Sequence, residues 1–305
     1  MKDLNRGNFF KLILSTLLLN QIFSLNGKDL KRIKIKKRMI PSGNEKIPII
    51  GLGTWRTFDI DENDLKSISN LKEILDQFIQ EGGNLIDSSP MYGNSEKIIG
   101  KLNSGNQQNL FLATKVWTSG KENGIAQIES SFKKMNTNFI HLFQIHNLVD
   151  WKTHLKTLRK YKEKGRIKYI GITHYTKSAF SEMEKIMKTE EIDFIQIPYS
   201  VVLRDAENKI LPLAKDKGIA TLINRPFEGG DLFSRYKNKK VPEFIKNFGC
   251  NSIAQVLLKY ILSTGGVTCV IPATSKIKHL LDNMHAGKGR LPDEKERKEI
   301  IKYFT

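Results

Sequence analysis

Cysteine is scarce in this chain, which argues against a disulfide-rich protein and against a cysteine-based metal site. The 305 residues include only two cysteines, Cys250 and Cys269, and their spacing matches no metal-ligand motif, so we expect no metal site. Cys269 stands in an apolar run, which indicates a buried hydrophobic side chain, and the pattern gives no argument for a disulfide. Internal repeats, low-complexity tracts and an interdomain linker are also absent after Pro48, which is typical of a folded globular domain.

Acidic residues are in the minority, at 32 against 50 lysines and arginines, so the formal net charge is +18. Eleven basic and three acidic residues lie at or before Pro48, which accounts for +8 and leaves +10 for the remaining 257 residues. There the excess is lysine scattered through helix-like stretches such as 152–168, without interleaved aromatic residues for base stacking. We therefore predict a solvated lysine-rich surface and no nucleic-acid partner; an anionic cofactor would also benefit from the positive field.

The first 28 residues form a separate segment that resembles an export signal. Three basic residues precede an apolar stretch at 12–25, which is too short to span a membrane comfortably. Residues 5–11 resemble a twin-arginine signal in which Gly7 replaces the second arginine, and no A-x-A cleavage site follows. We predict export to the periplasm. The alternatives that stay open are a cytoplasmic protein and an uncleaved arm that contacts or anchors to the membrane.

The rest of the chain alternates short apolar runs with longer stretches of helical periodicity. Eight runs rich in β-branched residues predict strands at 49–54, 84–88, 110–116, 139–146, 167–174, 194–199, 220–224 and 268–272. The stretches between them predict helices at 64–80, 124–135, 151–164, 177–188 and 252–263, among others. Strands alternating with helices indicate a parallel sheet that is buried on both faces.

Eight such units predict an α/β fold of the (β/α)8 TIM-barrel type over residues 49–305. The competing architecture, an open doubly wound sheet, has a G-x-G-x-x-G loop after its first strand, and no third glycine follows Gly51 and Gly53 in phase here. Ahead of the barrel, alternation at 32–36, a turn at 41–44 and a strand from residue 47 predict a short N-terminal β-hairpin over 32–48. We therefore expect one domain over 32–305, with 227–249 as a loop above the barrel.

Polar residues at the carboxyl ends of barrel strands are the first candidates for an active site. Asp87 ends the second predicted strand, Tyr92 follows it, Lys115 ends the third strand and His146 ends the fourth. Each has an ordinary explanation by itself, such as a helix cap for Asp87, but a lysine within an apolar strand needs a partner, and Asp87 supplies one. The lysine charge is expected to lower the pKa of Tyr92 toward neutrality and make it a better proton donor. His146 would orient a carbonyl or share in proton transfer, and a reduction would need the hydride of a nicotinamide.

Residues 82–96, GGNLIDSSPMYGNSE, resemble the signature of the aldo-keto reductase family. The catalytic tetrad of that family falls on Asp87, Tyr92, Lys115 and His146, and the resemblance runs from about residue 34 to residue 291. It implies a barrel enzyme that reduces a small aldehyde or ketone with NAD(P)H, with Tyr92 as the general acid. Two alternatives stay open: a non-catalytic nicotinamide-binding regulatory subunit, and a lyase that forms a Schiff base on Lys115.

The resemblance also implies cofactor and substrate contacts. The expected cofactor contacts are Gly53, Thr54 and Trp55 after the first barrel strand, Thr173, His174 and Gln196 on the fifth and sixth, Asn224, Arg225, Pro226 and Phe227 after the seventh, and Thr274, Ser275, Lys276, His279 and Asn283 after the eighth. Many members carry a tyrosine at the position of Asn224. Lys276 or Lys278 would replace the usual contacts to a 2′-phosphate, so we expect NADPH in preference to NADH. Trp55 and Trp117 are expected to line the substrate pocket. The pattern indicates neither the natural substrate nor the oligomeric state.

Overall fold

A closed barrel of parallel strands positions the candidate residues. The computed structural model describes residues 34–104, 110–246 and 248–305, and Ile35–Thr305 form one compact unit. The predicted export segment at 1–28 lies outside the described residues. Among the helices that the structure describes, none is long and apolar enough to cross a membrane.

Within the described residues the chain forms ten strands: β1 (Lys37–Met39), β2 (Lys46–Pro48), β3 (Leu52–Gly53), β4 (Leu85–Asp87), β5 (Phe111–Val116), β6 (Ile140–His146), β7 (Ile167–Thr173), β8 (Phe194–Pro198), β9 (Ala220–Asn224) and β10 (Cys269–Val270). The first two pair antiparallel, and β3 to β10 form one parallel sheet in chain order. The sheet closes on itself because the backbone N–H groups of Gly51 and Gly53 donate to the carbonyls of Val270 and Pro272, at 2.8 Å and 3.1 Å. This closed eight-stranded sheet confirms the predicted (β/α)8 barrel.

The barrel interior is filled by large apolar side chains at the amino ends of the strands. The rings of Phe111 and Tyr169 stack with centroids 6.0 Å apart, and Tyr169 meets Phe194 edge-on with centroids 5.4 Å apart. Ile40 and Ile47 of the hairpin belong to the same buried cluster, so the hairpin closes this end of the barrel. Burying each of these side chains stabilises the fold by about 1.5–3 kcal/mol. The polar candidate residues lie at the opposite end of the barrel, where the strands have their carboxyl ends.

Helices alternate with the strands and cover the barrel. In the described part of the chain they are α1 (Leu65–Gln80), α2 (Ser95–Leu102), α3 (Lys121–Lys134), α4 (Trp151–Glu163), α5 (Phe180–Thr189), α6 (Ile210–Asp216), α7 (Asp231–Arg235), α8 (Glu243–Lys246), α9 (Ile253–Leu262), α10 (Ile277–Ala286) and α11 (Glu294–Phe304). Polar residues set several starts: the Asp64 side chain accepts from the third N–H of α1, and Ser252 does the same for α9. The predicted helix at 177–188 begins as a 3₁₀ turn, Lys177–Ala179, before α5.

The hairpin is present, but its first strand lies further along the chain than the sequence pattern predicts. The alternation at 32–36 predicts a strand there, whereas the paired residues are those of β1, and residues 34–36 lie outside any strand. The tight turn fixes this register, because the N–H of Ile40 donates to the carbonyl of Glu45 at 2.9 Å and the residues next to the turn pair first. The N–H of Lys36 turns away to the carbonyl of Gly287.

The segment at 227–249, predicted as a loop above the barrel, contains two short helices, α7 and α8. They form because Leu232, Tyr236 and Ile245 bury their side chains against the body of the barrel. The Tyr236 ring packs edge-on against Phe304, with centroids 4.8 Å apart, and its hydroxyl donates to the Phe304 carbonyl. The segment is therefore a connection within one compact unit, as predicted, and its apolar anchors add two short helices that the sequence pattern does not indicate.

Candidate active site

The four candidate catalytic residues meet at the carboxyl ends of neighbouring strands. Asp87 is the last residue of β4, Lys115 lies near the end of β5, and His146 is the last residue of β6. All three are buried, while Tyr92 is half-buried in the turn between β4 and α2. The structure thus brings together all four residues that the sequence singles out.

Lys115 forms an ion pair without contact to solvent. Its Nζ donates to Asp87 Oδ2 at 2.7 Å and to the backbone carbonyl of Ser88 at 2.6 Å, and its exposed fraction is 0%. Burial alone lowers the pKa of Lys115, but Asp87 and Tyr92 raise the pKa by more, so the lysine stays charged. Removing one partner of such a pair costs about 3–5 kcal/mol, because the other charge remains buried. The pair therefore fixes a positive charge beneath the barrel mouth.

Two glutamines, of which the sequence pointed to only one, complete the surroundings of Asp87. Gln144 and Gln196 each donate from Nε2 to Asp87 Oδ1 at 2.9 Å, and Gln196 also donates to Gln144 Oε1 at 3.1 Å. Gln144 lies on β6 opposite Lys115 in the parallel register. The signal that could have found it is a polar residue inside an apolar strand, two positions before His146. These donors hold the carboxylate in one orientation toward Lys115.

Tyr92 lies above this charge. The Lys115 Nζ is 5.1 Å from the centroid of the Tyr92 ring, and this ring meets the His146 ring edge-on with centroids 5.9 Å apart. Burial raises the pKa of Tyr92, and the charge and hydrogen bond of Lys115, which act in the opposite direction, do not offset it. The prediction of a lowered pKa is therefore wrong, because desolvation of the phenolate outweighs the lysine. The phenol stays protonated at neutral pH.

His146 is neutral and is held from one side. Its Nδ1 lies 2.9 Å from the hydroxyl oxygen of Ser89, and its ring centroid is 6.3 Å from that of Trp117. Burial, helped by the charges of Lys115 and His174, lowers the pKa of His146 to about 2. An imidazolium is therefore absent across the physiological pH range, which favours orientation of a carbonyl over proton transfer as the role of this ring.

The turn that carries Tyr92 is fastened by a residue that the sequence analysis missed. Asp59 Oδ1 accepts from the backbone N–H of Asn94 at 2.9 Å. Gly93 has φ of 56°, and a Cβ at this position would lie 2.1 Å from Asp59 Oδ1. Only glycine fits there, and the carboxylate also lies at the N-terminus of α2, where the helix dipole favours an anion. Asp59 therefore sets the position of the Tyr92 turn.

The residues predicted for the nicotinamide end of the cofactor lie at the same end of the barrel. Thr54 donates to the Asp87 carbonyl at 3.0 Å, and Thr173 donates to Gln196 Oε1 at 3.3 Å. Gln196 Oε1 also accepts from Asn224 at 3.5 Å, so both ends of its amide already have protein partners. Its role toward a carboxamide, implied by the resemblance, stays a prediction.

Asn224 offers an acceptor that suits a carboxamide. Its Nδ2 donates to the backbone carbonyl of His174 at 3.2 Å, while its Oδ1 is buried and has no hydrogen-bond partner among the residues that the structure describes. A buried acceptor without a partner is costly, and an amide N–H of a nicotinamide would satisfy it. His174 stands beside it with its Nδ1 accepting from the N–H of Thr176 at 3.1 Å and its ring stacked on Tyr175. The residues present here fit a nicotinamide.

The loop after β9 carries the predicted cofactor contacts Arg225, Pro226 and Phe227 in a tight turn. Arg225, Glu228 and Gly229 have φ of 49°, 51° and 74°, so their backbone is left-handed. The N–H of Glu228 donates to the Arg225 carbonyl at 3.0 Å and the N–H of Gly230 to the Phe227 carbonyl at 2.9 Å, so the turn is closed by its own backbone and the Arg225 guanidinium is the group that suits an anion. Pro226 follows Arg225, and the buried Phe227 ring packs on Phe233 with centroids 4.7 Å apart.

The five residues predicted for the adenosine phosphate lie together after β10. Thr274 Oγ1 accepts from the N–H of Lys276 at 3.1 Å, and Ser275 lies between them. Lys276 is exposed at the N-cap of α10, while His279 and Asn283 are four residues apart on one face of that helix. A helix N-terminus with an exposed lysine is suited to a phosphate. Gly53 lies on the adjoining strand, β3.

Two tryptophans frame the barrel mouth. The Trp117 ring is 41% exposed and adjoins His146, and the Trp55 ring is 39% exposed beneath the guanidinium of Arg56. Both rings are partly exposed, and their role in lining the substrate pocket stays a prediction. In the described ranges, no group of three or more His, Cys, Asp or Glu side chains could hold a metal ion.

Comparison with known proteins identifies one family. A sequence model of the aldo/keto reductase family matches residues 49–300. The aldo-keto reductase YhdN of Bacillus subtilis is 31% identical over 230 residues, which are 64% of this chain and 67% of the relative. The methylglyoxal reductase YeaE of Escherichia coli is 25% identical over 257 residues, which are 82% of this chain and 89% of the relative.

Solved structures show the same fold. The aldo-keto reductase AKR11C1 from Bacillus halodurans, in its holo form, superposes with a TM-score of 0.73 at 21% identity, covering 89% of this chain and 96% of its own. An aldo-keto reductase from Klebsiella pneumoniae in complex with NADPH superposes with a TM-score of 0.72 at 20% identity, covering 85% and 92%.

Proposed function

Because the chain belongs to the aldo/keto reductase family, we propose that it reduces a small aldehyde or ketone with NADPH and that Tyr92 is the general acid. Membership of the family makes the chain an NAD(P)H-dependent oxidoreductase. The observation that supports Tyr92 is the buried ion pair of Lys115 and Asp87, which places a charged ammonium 5.1 Å from the centre of the tyrosine ring.

The side chains of the site donate the proton to the carbonyl oxygen, while the bound nicotinamide would supply the hydride that adds to the carbonyl carbon. Tyr92 keeps its proton at neutral pH because burial raises its pKa, and it donates that proton to the carbonyl oxygen as the oxygen becomes negative. The phenolate left behind is favoured by the charge of Lys115, which Asp87 holds in place. Solvent then returns a proton to the phenolate.

The expected size of this contribution follows from general acid catalysis. A positioned general acid accelerates a reaction by about 10²–10⁴-fold, or roughly 3–5 kcal/mol of transition-state stabilisation. The charge of Lys115 matters because it acts in a dry site, where an electrostatic interaction is stronger than in water. Tyr92 and Lys115 therefore act as a unit.

The names of the relatives guide the choice of substrate and cofactor. Relatives from E. coli and Yersinia pestis are named methylglyoxal reductases, and the K. pneumoniae structures contain NADP or NADPH. We infer from these a small carbonyl compound as substrate for this chain and NADPH as its cofactor. Exposed Lys276, at the N-cap of α10, would then contact the 2′-phosphate.

The test is oxidation of NADPH and NADH by the purified protein with methylglyoxal, an aromatic aldehyde and a ketone. We expect turnover with preference for NADPH, and a smaller preference in Lys276→Ala, with Lys295→Ala as the control for loss of an exposed lysine. Nucleotide binding without turnover on any of these carbonyls would contradict the reductase assignment in favour of a regulatory subunit. Borohydride trapping of a substrate on Lys115 would favour the lyase.

Export is a separate proposal, supported by the sequence of residues 1–28 alone. A route that exports folded proteins would let NADPH travel already bound. Fractionation of cells that produce the full chain or a chain without residues 1–28 tests this proposal. We expect only the full chain in the periplasm, and equal distributions would contradict the proposal.

A further inference from the structure

Ser89 occupies the space between the Tyr92 turn and His146. Its side chain is fully buried, and its Oγ lies 2.9 Å from His146 Nδ1. The same oxygen accepts a longer hydrogen bond, 3.4 Å, from the backbone N–H of Met91. These are the two hydrogen bonds of the Ser89 side chain within the described residues, so they decide where its proton can go.

A serine hydroxyl has one proton to donate. The Met91 N–H uses the oxygen of Ser89 as an acceptor, and within the described ranges His146 Nδ1 is the acceptor that the hydroxyl proton can reach. If Nδ1 carried a proton itself, Ser89 would have to accept that bond too, and its own proton would be buried without a partner. Such an orphaned donor disfavours that arrangement by roughly fivefold or more.

The opposite ring nitrogen of His146 has no such partner. Among the residues that the structure describes, none forms a hydrogen bond to Nε2, and the ring meets Tyr92 edge-on. A neutral imidazole that accepts at Nδ1 carries its proton on Nε2 and donates there. The Nε2–H group and the Tyr92 hydroxyl would then be two donors for one carbonyl oxygen.

We propose that Ser89 is a positioning residue that fixes His146 in the tautomer with its proton on Nε2, so that His146 donates a hydrogen bond to the substrate carbonyl. This inference rests on the proposed function, since it gives His146 its task in carbonyl reduction. The reverse tautomer would present a lone pair to the carbonyl oxygen and repel it. Ser89 therefore acts on the substrate only through His146.

Nitrogen NMR of the full chain labelled with ¹⁵N in its six histidines tests the tautomer directly. His146→Gln identifies the His146 signals by their loss. We expect an unprotonated Nδ1 and a protonated Nε2 in the wild type, and a shift of both signals toward a mixture of tautomers in Ser89→Ala. Ser88→Ala is the matched control, because the Ser88 hydroxyl is buried and has no hydrogen-bond partner within the described part of the chain. A proton on Nδ1 in the wild type, or unchanged signals in Ser89→Ala, would overturn the proposal.

Steady-state kinetics with NADPH and methylglyoxal separate a positioning role from a merely structural one. We expect Ser89→Ala to lower kcat/KM by about three- to tenfold, the effect of one hydrogen bond, with the Kd for NADPH unchanged. In the His146→Gln background the same substitution should have no further effect, because its target is absent. Additive losses would overturn the proposal. A wild type that reduces no carbonyl would overturn the proposed function instead, and the NMR experiment would still decide the tautomer.

Discussion

Removing either charge of the Asp87–Lys115 ion pair should destabilise the protein, and removing both should cost less than the sum of the two single losses. Asp87→Asn removes the negative charge and Lys115→Met removes the positive charge with little change in side-chain length. The double variant removes both. These substitutions form a double-mutant cycle, in which departure from additivity measures the interaction of the two side chains.

The expected magnitude follows from the contacts of the pair. In Lys115→Met, the Asp87 carboxylate keeps its two amide donors at 2.9 Å but loses the ammonium at 2.7 Å. In Asp87→Asn, the ammonium keeps the Ser88 carbonyl and loses its counter-charge. Each single change should cost about 3–5 kcal/mol, since it leaves a buried charge uncompensated. The double variant should cost about 2–4 kcal/mol less than the sum of the two.

Urea unfolding of the four proteins, followed by circular dichroism, measures these free energies. The exposed pair of Lys72 and Asp76 is the matched control, because its N–O distance is also 2.7 Å but both side chains are in water. Its coupling should stay below about 0.5 kcal/mol. A coupling at Asp87 and Lys115 no larger than at the surface pair would refute the reasoning that burial makes their separation costly.

Three further predictions follow from other contacts. Burial lowers the pKa of His141 to about 4, below the value near 6.5 in the unfolded chain, so its neutral form stabilises the fold above pH 6.5 and this stability is lost as the pH falls. Between pH 7 and pH 5 the wild type should lose about 2 kcal/mol more than His141→Gln in urea unfolding, and equal losses would contradict this. Asp59→Ala should lower kcat about tenfold at unchanged Kd for NADPH, because it removes the acceptor that holds the Tyr92 turn. Asp59→Asn keeps an acceptor oxygen and should keep most of the activity. Equal kcat values in the two variants would exclude a positioning role for Asp59. Arg297 donates to the Tyr260 carbonyl at 2.7 Å and to Glu207 at 3.0 Å, so Arg297→Ala should cost about 2–4 kcal/mol in the same assay, and a loss no larger than that of exposed Arg290→Ala would rule this out.

The barrel and its tetrad could be predicted from the sequence because both depend on local pattern. Apolar runs separated by amphipathic stretches indicate buried parallel strands, and the position of a residue at the end of a run decides which end of the barrel it faces. Lys115 also indicates the site, because a lysine within an apolar strand requires a buried partner, and Asp87 at the end of the neighbouring strand supplies it. These inferences need only the order of residues along the chain.

Contacts between segments could not be predicted in this way. Asp59 lies 35 residues before Asn94, and nothing in the spacing indicates that its carboxylate caps the Tyr92 turn. Ser89 is one of two adjacent serines in the sequence, and only the fold places its hydroxyl against His146. The sequence predicts the wrong direction for the pKa of Tyr92, because it reveals the neighbouring lysine but not the extent of desolvation.

The rate of carbonyl reduction by Tyr92→Phe tests most directly whether Tyr92 is the proton donor. The variant should bind NADPH with the Kd of the wild type, measured by fluorescence titration, because the change removes one oxygen and leaves the ring in place. Its rate of methylglyoxal reduction in a single turnover should fall by about 10²–10⁴-fold, while Tyr303→Phe, on α11, should keep the wild-type rate. A Tyr92→Phe protein that reduces the carbonyl as fast as the wild type would contradict the assignment of Tyr92 as the proton donor.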